Sequence, residues 1–165
     1  MKFVKMSKWE YIIYSSVIAL GILLDQLTKW LAVAFLKPIE TFPIIEGVIH
    51  LTYVENRGAA FGILADKRYI FMIISTVMIV GISLVLYSGA YKSNSLYQIS
   101  FAMIASGGIG NMIDRIALGY VVDFIDFRLI NFAVFNGADS FVCVGAALLA
   151  LHLLLPLFPK KNKPQ

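Results

Sequence analysis

The sequence predicts an integral membrane protein, mainly α, in which four transmembrane helices carry two short β-like segments outside the bilayer. Three observations point there. Of 165 residues, 59% are hydrophobic and only 15% charged, with mean hydropathy +0.81, whereas soluble domains carry about a quarter charged residues. Four apolar runs, Tyr11–Trp30, Tyr69–Tyr87, Leu96–Ile113 and Ser140–Phe158, approach the ~20 residues needed to cross a hydrocarbon core. Between them, 38–56 and 120–136 are rich in β-branched and aromatic residues, as strands are. The whole chain, 1–165, is expected to form one membrane-embedded domain.

The first span is too long for the apolar core of a signal peptide and ends in DQLTKW rather than a small-residue cleavage site, so no cleaved leader is expected. Near its outer end Asp25 and Lys29 stand i,i+4 on one helical face, where an ion pair forms readily. They read either as a snorkelling pair at the membrane boundary or as a brace for a site. The segment PIETFPIIEGVIHLTYVEN, 38–56, is punctuated by Pro38, Pro43 and Gly47, and its His50 has no histidine or cysteine nearby at metal-ligand spacing. NRGAAFG, 56–62, follows; Asn56 reads as a turn former or as a donor to a carboxylate, and Gly58 and Gly62 permit close backbone approach.

The second span holds only Ser75, Thr76 and Ser83 as polar side chains and reads as structural. The third runs into GGIGNMIDR, 107–115, whose glycines offer a flat face for helix contact. Asn111 and Arg115 share a helical face, and Asp114 reads as a structural partner of Arg115 or as part of a site. In 120–136 a hairpin is expected to turn near Leu129–Asn131. Strand alternation puts Asp123 and Asp126 on opposite faces, one of them solvated, without saying which. The fourth span opens at FNGAD, where Asn136 is a candidate cap and Asp139 lies in the first turn, favourable for an anion. Ala146, Ala147 and Ala150 suggest a packing surface, Cys143 a core position and His152 a packed or interfacial histidine.

Net charge +4 arises largely from lysines at the two ends, a pattern suited to an anionic cytoplasmic membrane surface rather than to nucleic acid. Four spans put both termini on one side, expected to be the cytoplasmic one from the lysine clusters at the two ends. Lys and Arg divide seven to seven between the faces, and nine of ten carboxylates, which the positive-inside rule weighs little, lie on the opposite face from the termini. The lone Cys143 excludes an intrachain disulfide.

The same parity brings Asp25, Asn56, Asn111, Asp114, Arg115, Asp123, Asn136 and Asp139 toward one membrane face. Carboxylates at bilayer depth are costly and read as functional, in pairs or with a partner. HExxH and GxSxG are absent, and Ser15 and Ser16 lie about two turns or more from Lys29. A carboxylate pair remains, sharing one proton because both cannot ionise cheaply. Asp123 and Asp139 frame that reading.

The segments DQLTK (25–29), NRGAAFG (56–62), GGIGNMIDR (107–115), VVDFIDF (121–127) and FNGADSFVCVG (135–145) resemble, in order and spacing, the bacterial lipoprotein signal peptidases (type II signal peptidases). The resemblance implies four transmembrane helices with a small extracytoplasmic β-cradle, and an aspartic endopeptidase of the bacterial cytoplasmic membrane working without metal or cofactor. Its catalytic dyad falls on Asp123 and Asp139. Asp25, Lys29, Asn56, Gly58, Asn111, Asp114, Arg115, Asn136 and Ala138 match supporting or substrate-positioning positions. The implied substrate is a prolipoprotein carrying diacylglycerol on its lipobox cysteine, cleaved just before that residue. Membrane lipids and globomycin-type cyclic peptides are the other implied partners. Gly137 stands where bulkier aliphatics are usual, which removes no chemical group. The β-like segments are expected to cover the site.

Two rivals make different demands. A small proton-coupled membrane transporter would place polar residues at the midplane and on both sides. A non-catalytic assembly factor using Asp–Arg pairs as helix glue would tolerate Asp123→Asn.

Overall fold

A computed structural model describes residues 6–58, 68–89 and 95–154. The expected turn at 59–62, most of the 87–95 connection and the KKNKPQ tail lie outside them. Among the described residues four α-helices, α1 (Lys8–Leu31), α2 (Arg68–Tyr87), α3 (Ser95–Ala117) and α4 (Gly137–Leu154), accompany strands β1 (Thr41–Ile45), β2 (Ile49–Asn56) and β3 (Val121–Phe127).

Helix α1 starts where Ser7 and Glu10 cap each other, the Ser7 amide donating to Glu10 Oε2 at 2.6 Å and the Glu10 amide to Ser7 Oγ at 3.2 Å. It continues past Leu31 through a π-helical turn, Ala32–Leu36. Among the described residues three helices are long and apolar enough to cross a membrane: the α1 segment Lys8–Leu36, Tyr69–Tyr87 and Gly137–Leu154. Helix α3 has the length but a more polar sequence, because it is the central helix, packed against α1, α2 and α4. It therefore buries Gln98, Ser100, Ser106, Gly107 and Gly110, while the other three expose leucine, isoleucine and valine outward.

The α3–α4 crossing depends on Gly107. A Cβ there would collide with the Ala138 carbonyl oxygen and stand 2.7 Å from Val142 Cγ2. Gly145 completes the contact from the other side, against Ser100 O and Ile104. The sequence put this packing surface at Ala146, Ala147 and Ala150, and those side chains face outward instead. Cys143 is also exposed rather than core. Because Ala138, Val142 and Gly145 are turned toward α3, the alanines beside Gly145 on the helix point away.

The three strands form one antiparallel sheet in the order β1-β2-β3. β1 and β2 are a hairpin whose turn is pinned by the buried His50, which accepts the Gly47 N–H at its Nε2 (3.1 Å). β3 joins β2 from across two helices, with His50 opposite Asp126 and Val54 opposite Asp123. The two β-like segments are thus neighbours in one sheet. A bulge between Leu51 and Val54 re-aims the strand where Asp123 begins. The sheet rests on the end of α1 through Ala32, Leu36 and Val122, with Leu51, Tyr53, Tyr120 and Phe124 around them.

After β3 a short 3-10 turn, Arg128–Ile130, ends at Asn131 in the left-handed conformation (φ 48°), which asparagine tolerates. The chain turns back where the hairpin was expected, but makes an isolated bridge at Phe135, whose carbonyl accepts from Phe124 and Ile125, rather than a second strand. That return brings Asn136 up against Asp123.

Candidate active site

Helix α4 begins three residues before the apolar run because Asn136 caps it. Asn136 Oδ1 accepts the Asp139 N–H at 2.9 Å, and Asp139 Oδ2 accepts the Asn136 N–H at 3.3 Å. An asparagine cap with an acid at the third position is a reciprocal capping pair, and it fixes the Asp139 carboxyl at the helix entrance.

Asn136 also ties Asp139 to Asp123. Its Nδ2 donates to Asp123 Oδ1 at 2.6 Å and lies 3.1 Å from Asn111 Oδ1. The second Asp123 oxygen accepts from Asn56 Nδ2 at 2.8 Å, and Asn56 Oδ1 accepts the Gly58 N–H at 2.9 Å. Asn111 closes the set by donating from Nδ2 to Asp139 Oδ1 at 2.7 Å. Both aspartates are therefore held on amide donors, as anionic oxygens require in a dry setting.

Asp123 is 1% exposed. Burial foremost, and the neighbouring Asp139 carboxylate, push its carboxyl from 3.8 up to about 7, against the lowering effect of Asn56 and Asn136. It titrates in the range where one proton can be held and passed on.

Behind the aspartates lies a buried charge cluster. Lys29 Nζ bridges Asp25 Oδ2 (2.9 Å), Asp114 Oδ2 (3.1 Å) and Asn111 Oδ1 (2.9 Å). The side chains of Asp25 and Lys29 are 1% and 3% exposed, so they form a buried ion pair rather than a snorkelling one. Asp114 pairs with Lys29 rather than with Arg115, because α3 turns its carboxylate toward α1. Gly110 makes room for this: a Cβ there would stand 2.5 Å from Asp25 Oδ2. A Cβ at Gly137 would meet Asp25 Oδ1 at 3.4 Å, an ordinary contact, so the glycine is not demanded.

Asp126 lies outside the site. It pairs with Arg128 Nε at 3.0 Å and accepts from Thr52 Oγ1 at 2.8 Å, so the aspartate expected to be solvated is hydrogen-bonded on the sheet instead. Tertiary contacts, absent from strand alternation alone, supply its partners.

Asn56, Gly58, Asn111, Arg115, Asp123 and Asp139 line one groove of about 620 Å³, walled by Val121, Phe132–Phe135, Cys143 and Val144. Arg115 reaches it held by the Asn111 carbonyl at 3.3 Å and lying over the Phe71 ring at 5.5 Å. Ala138 is fully buried, and its amide donates to Asp25 Oδ1 at 2.7 Å. Among the described residues no three His, Cys, Asp or Glu side chains converge as a metal ion needs. An apolar groove with two adjacent, amide-held carboxyls at its floor is suited to binding an extended chain and activating water on it.

The sequence profile described as Signal peptidase (SPase) II matches residues 17–155. The chain belongs to the signal peptidase II family. It is 53% identical over 138 residues to the lipoprotein signal peptidase of Caldanaerobacter subterraneus subsp. tengcongensis, covering 84% of this chain and 93% of that one. It is 43% identical over 151 residues to the lipoprotein signal peptidase of Clostridioides difficile, covering 92% and 99%. Its fold is similar to a bacterial membrane enzyme structure determined by the in meso method at 2.3 Å resolution, with TM-score 0.82, 29% identity and coverage of 93% and 94%. A second, at 1.9 Å, gives TM-score 0.77 and 30% identity over 94% and 99%. As a signal peptidase II the chain is a peptidase, and its long apolar helices place it in a membrane.

Every residue proposed for the site from the sequence sits in or directly behind the groove. Gln26 was missed. Its Nε2 lies 3.2 Å from Asp25 Oδ2, 3.1 Å from the Gly110 carbonyl and 3.0 Å from Asp114 Oδ1. Its position beside Asp25 on a boundary helix was the available signal; a lone glutamine there carries no chemistry until α3 is packed against it.

Proposed function

We propose that this signal peptidase II is an intramembrane aspartic endopeptidase that removes the signal peptide from diacylglyceryl-modified prolipoproteins, cutting just before the lipidated cysteine. The observation that carries the reading is the pairing of Asp123 and Asp139 on one groove through the single side chain of Asn136.

Asp139, held by Asn111 and the Asn136 amide, takes a proton from water as the oxygen attacks the scissile carbonyl carbon. Asp123, whose carboxyl titrates near 7, keeps the shared proton and gives it to the carbonyl oxygen. The resulting gem-diol collapses as the C–N bond breaks. The proton held by Asp139 passes to the departing nitrogen, and a diol proton returns to Asp123. The donors from Asn56 and Asn136 steady the Asp123 charge while the proton is away. Arg115 positions the substrate backbone at the groove rim.

A signal peptide is an apolar helix with its cleavage point near the bilayer surface. A peptidase for it needs carboxyls at that depth and a groove with apolar walls, here Phe132–Phe135 and Val144. In the cell the chain would lie with both termini in the cytoplasm and the groove at the extracytoplasmic face, where membrane lipids and the lipidated cysteine meet it. Globomycin-type cyclic peptides would occupy the same groove.

The deciding experiment is cleavage of a diacylglyceryl-modified prolipoprotein by wild type, Asp123→Asn and Asp139→Asn, each checked for folding. Loss in both variants, with chelator-resistant wild-type activity, supports the metal-free dyad. Near-normal turnover in either removes that residue from catalysis, and no cleavage by folded wild type returns the carboxylates to a proton-coupled transporter.

A further inference from the structure

Each aspartate of the proposed dyad follows a residue whose backbone amide is held by a buried carboxylate. The Ala138 N–H, immediately before Asp139, donates to Asp25 Oδ1 at 2.7 Å. The Val122 N–H, immediately before Asp123, donates to Asp114 Oδ2 at 3.0 Å. The two clamps come from different helices, α1 and α3, and grip different elements, the first turn of α4 and the start of β3.

Two side chains of α1 join them. Lys29 has three N–H groups and three acceptors, one on each clamp and the third on Asn111, the donor to Asp139. With its carbonyl facing Lys29, the Asn111 amide must present its NH₂ to Asp139. Gln26 spans the same two carboxylates from the other side, 3.2 Å from Asp25 Oδ2 and 3.0 Å from Asp114 Oδ1, with the Gly110 carbonyl between. A buried ion cluster is a poor way merely to glue helices, since well-packed apolar residues do as well or better. Its geometric return here is registration: two elements far apart in the chain, each carrying one carboxyl, are referred to the same point.

We propose that Gln26 and Lys29 are positioning residues of the reaction: by bridging Asp25 to Asp114 they fix the separation at which the Asp123 and Asp139 carboxyls share one proton. The inference rests on the dyad reading and adds what sets its spacing. Two carboxyls held close split their apparent titrations widely, and two that drift apart do not. The width of the pH–rate profile therefore reports the bridge, whereas a general loss of folded enzyme lowers the plateau and leaves the limbs in place.

The test is kcat against pH for the full chain acting on diacylglyceryl-modified prolipoprotein, with wild type, Gln26→Leu, Lys29→Met and the two Asp→Asn variants side by side. Gln26→Leu is expected to lower kcat about tenfold, keep KM within about twofold and draw the acid and alkaline limbs together. Lys29→Met, which also removes a positive charge, is expected to cost about a hundredfold and move both limbs upward. If Lys29→Met does not fold, the neutral change at partly buried Gln26 decides alone. A lower kcat with both limbs unmoved assigns Gln26 to folding only and overturns the proposal. Wild-type kcat and limbs in Gln26→Leu, with both Asp→Asn variants inactive, overturn the bridge and leave the dyad standing. Activity in either Asp→Asn variant overturns the dyad and the bridge together.

Discussion

Replacing Asn136 by alanine separates two quantities that the fold joins in one side chain. Asn136 is fully buried, caps α4 through Oδ1 and donates from Nδ2 to Asp123. Losing the cap costs about 1 kcal/mol and losing a hydrogen bond to a charged partner about 2 kcal/mol, so about 3 kcal/mol of stability disappears once Asp123 is ionised, above pH ~8. The charged part depends on pH. The Asp123 carboxyl already sits at about 7 in the folded chain, above 3.8. Its contribution therefore favours the fold fully below pH ~4 and is lost as pH rises through ~7. Asn136 lowers that value, so its removal raises it further, by about one unit. The destabilisation of Asn136→Ala should consequently grow from pH 5 to pH 8, and the alkaline limb of its residual cleavage should move upward. Dodecyl sulfate unfolding followed by tryptophan fluorescence measures the first, and the pH–rate profile the second. Equal destabilisation at both pH values, with an unmoved limb, would refute the assignment of the Asn136–Asp123 bond.

Other outcomes follow from the same contacts. Gly107→Ala should destabilise the α3–α4 crossing by about 1–3 kcal/mol and cut turnover, because the new methyl meets the Ala138 carbonyl beside Asp139; Gly81→Ala, with nothing within 4 Å, should leave turnover unchanged. Burial would raise the Asp126 carboxyl, but hydrogen bonds from Arg128 and Thr52 outweigh it and hold it below its ordinary value. Asp126→Asn should therefore keep full cleavage and cost less than about 1 kcal/mol, a loss seen above pH ~4 that vanishes as pH falls, measurable by the same unfolding titration. Cys143 is exposed on the groove wall one turn below Asp139. Labelling it with a bulky maleimide should abolish cleavage, Cys143→Ala should resist the reagent, and a bound peptide inhibitor should slow labelling, as mass spectrometry would show.

The sequence by itself determined the membrane class, the four helices, the strand segments and which polar residues gather at one end of the helices. Those features are local or statistical: apolar runs have the length of a bilayer, β-branched residues mark strands, and polar residues expelled from lipid collect where spans end. Asn136 and Asp139 were legible as a cap and a first-turn acid because capping is set by residues three apart. Decisions that depend on which element packs on which were not legible. Strand alternation separated Asp123 from Asp126 without choosing between them; the return at Phe135 chose, by delivering Asn136 to Asp123 and leaving Asp126 to Arg128. The central helix turned Asp114 toward Lys29 and away from Arg115. Cys143 and the alanines of α4 could not be sorted into inside and outside, because in lipid both faces are apolar and only the close approach at Gly107 and Gly145 shows which one touches protein. Gln26 acquired a role only when its amide came within reach of two carboxylates, one of them 88 residues away. Hydrophobicity tells a residue to leave water; it does not name the neighbour that will receive it.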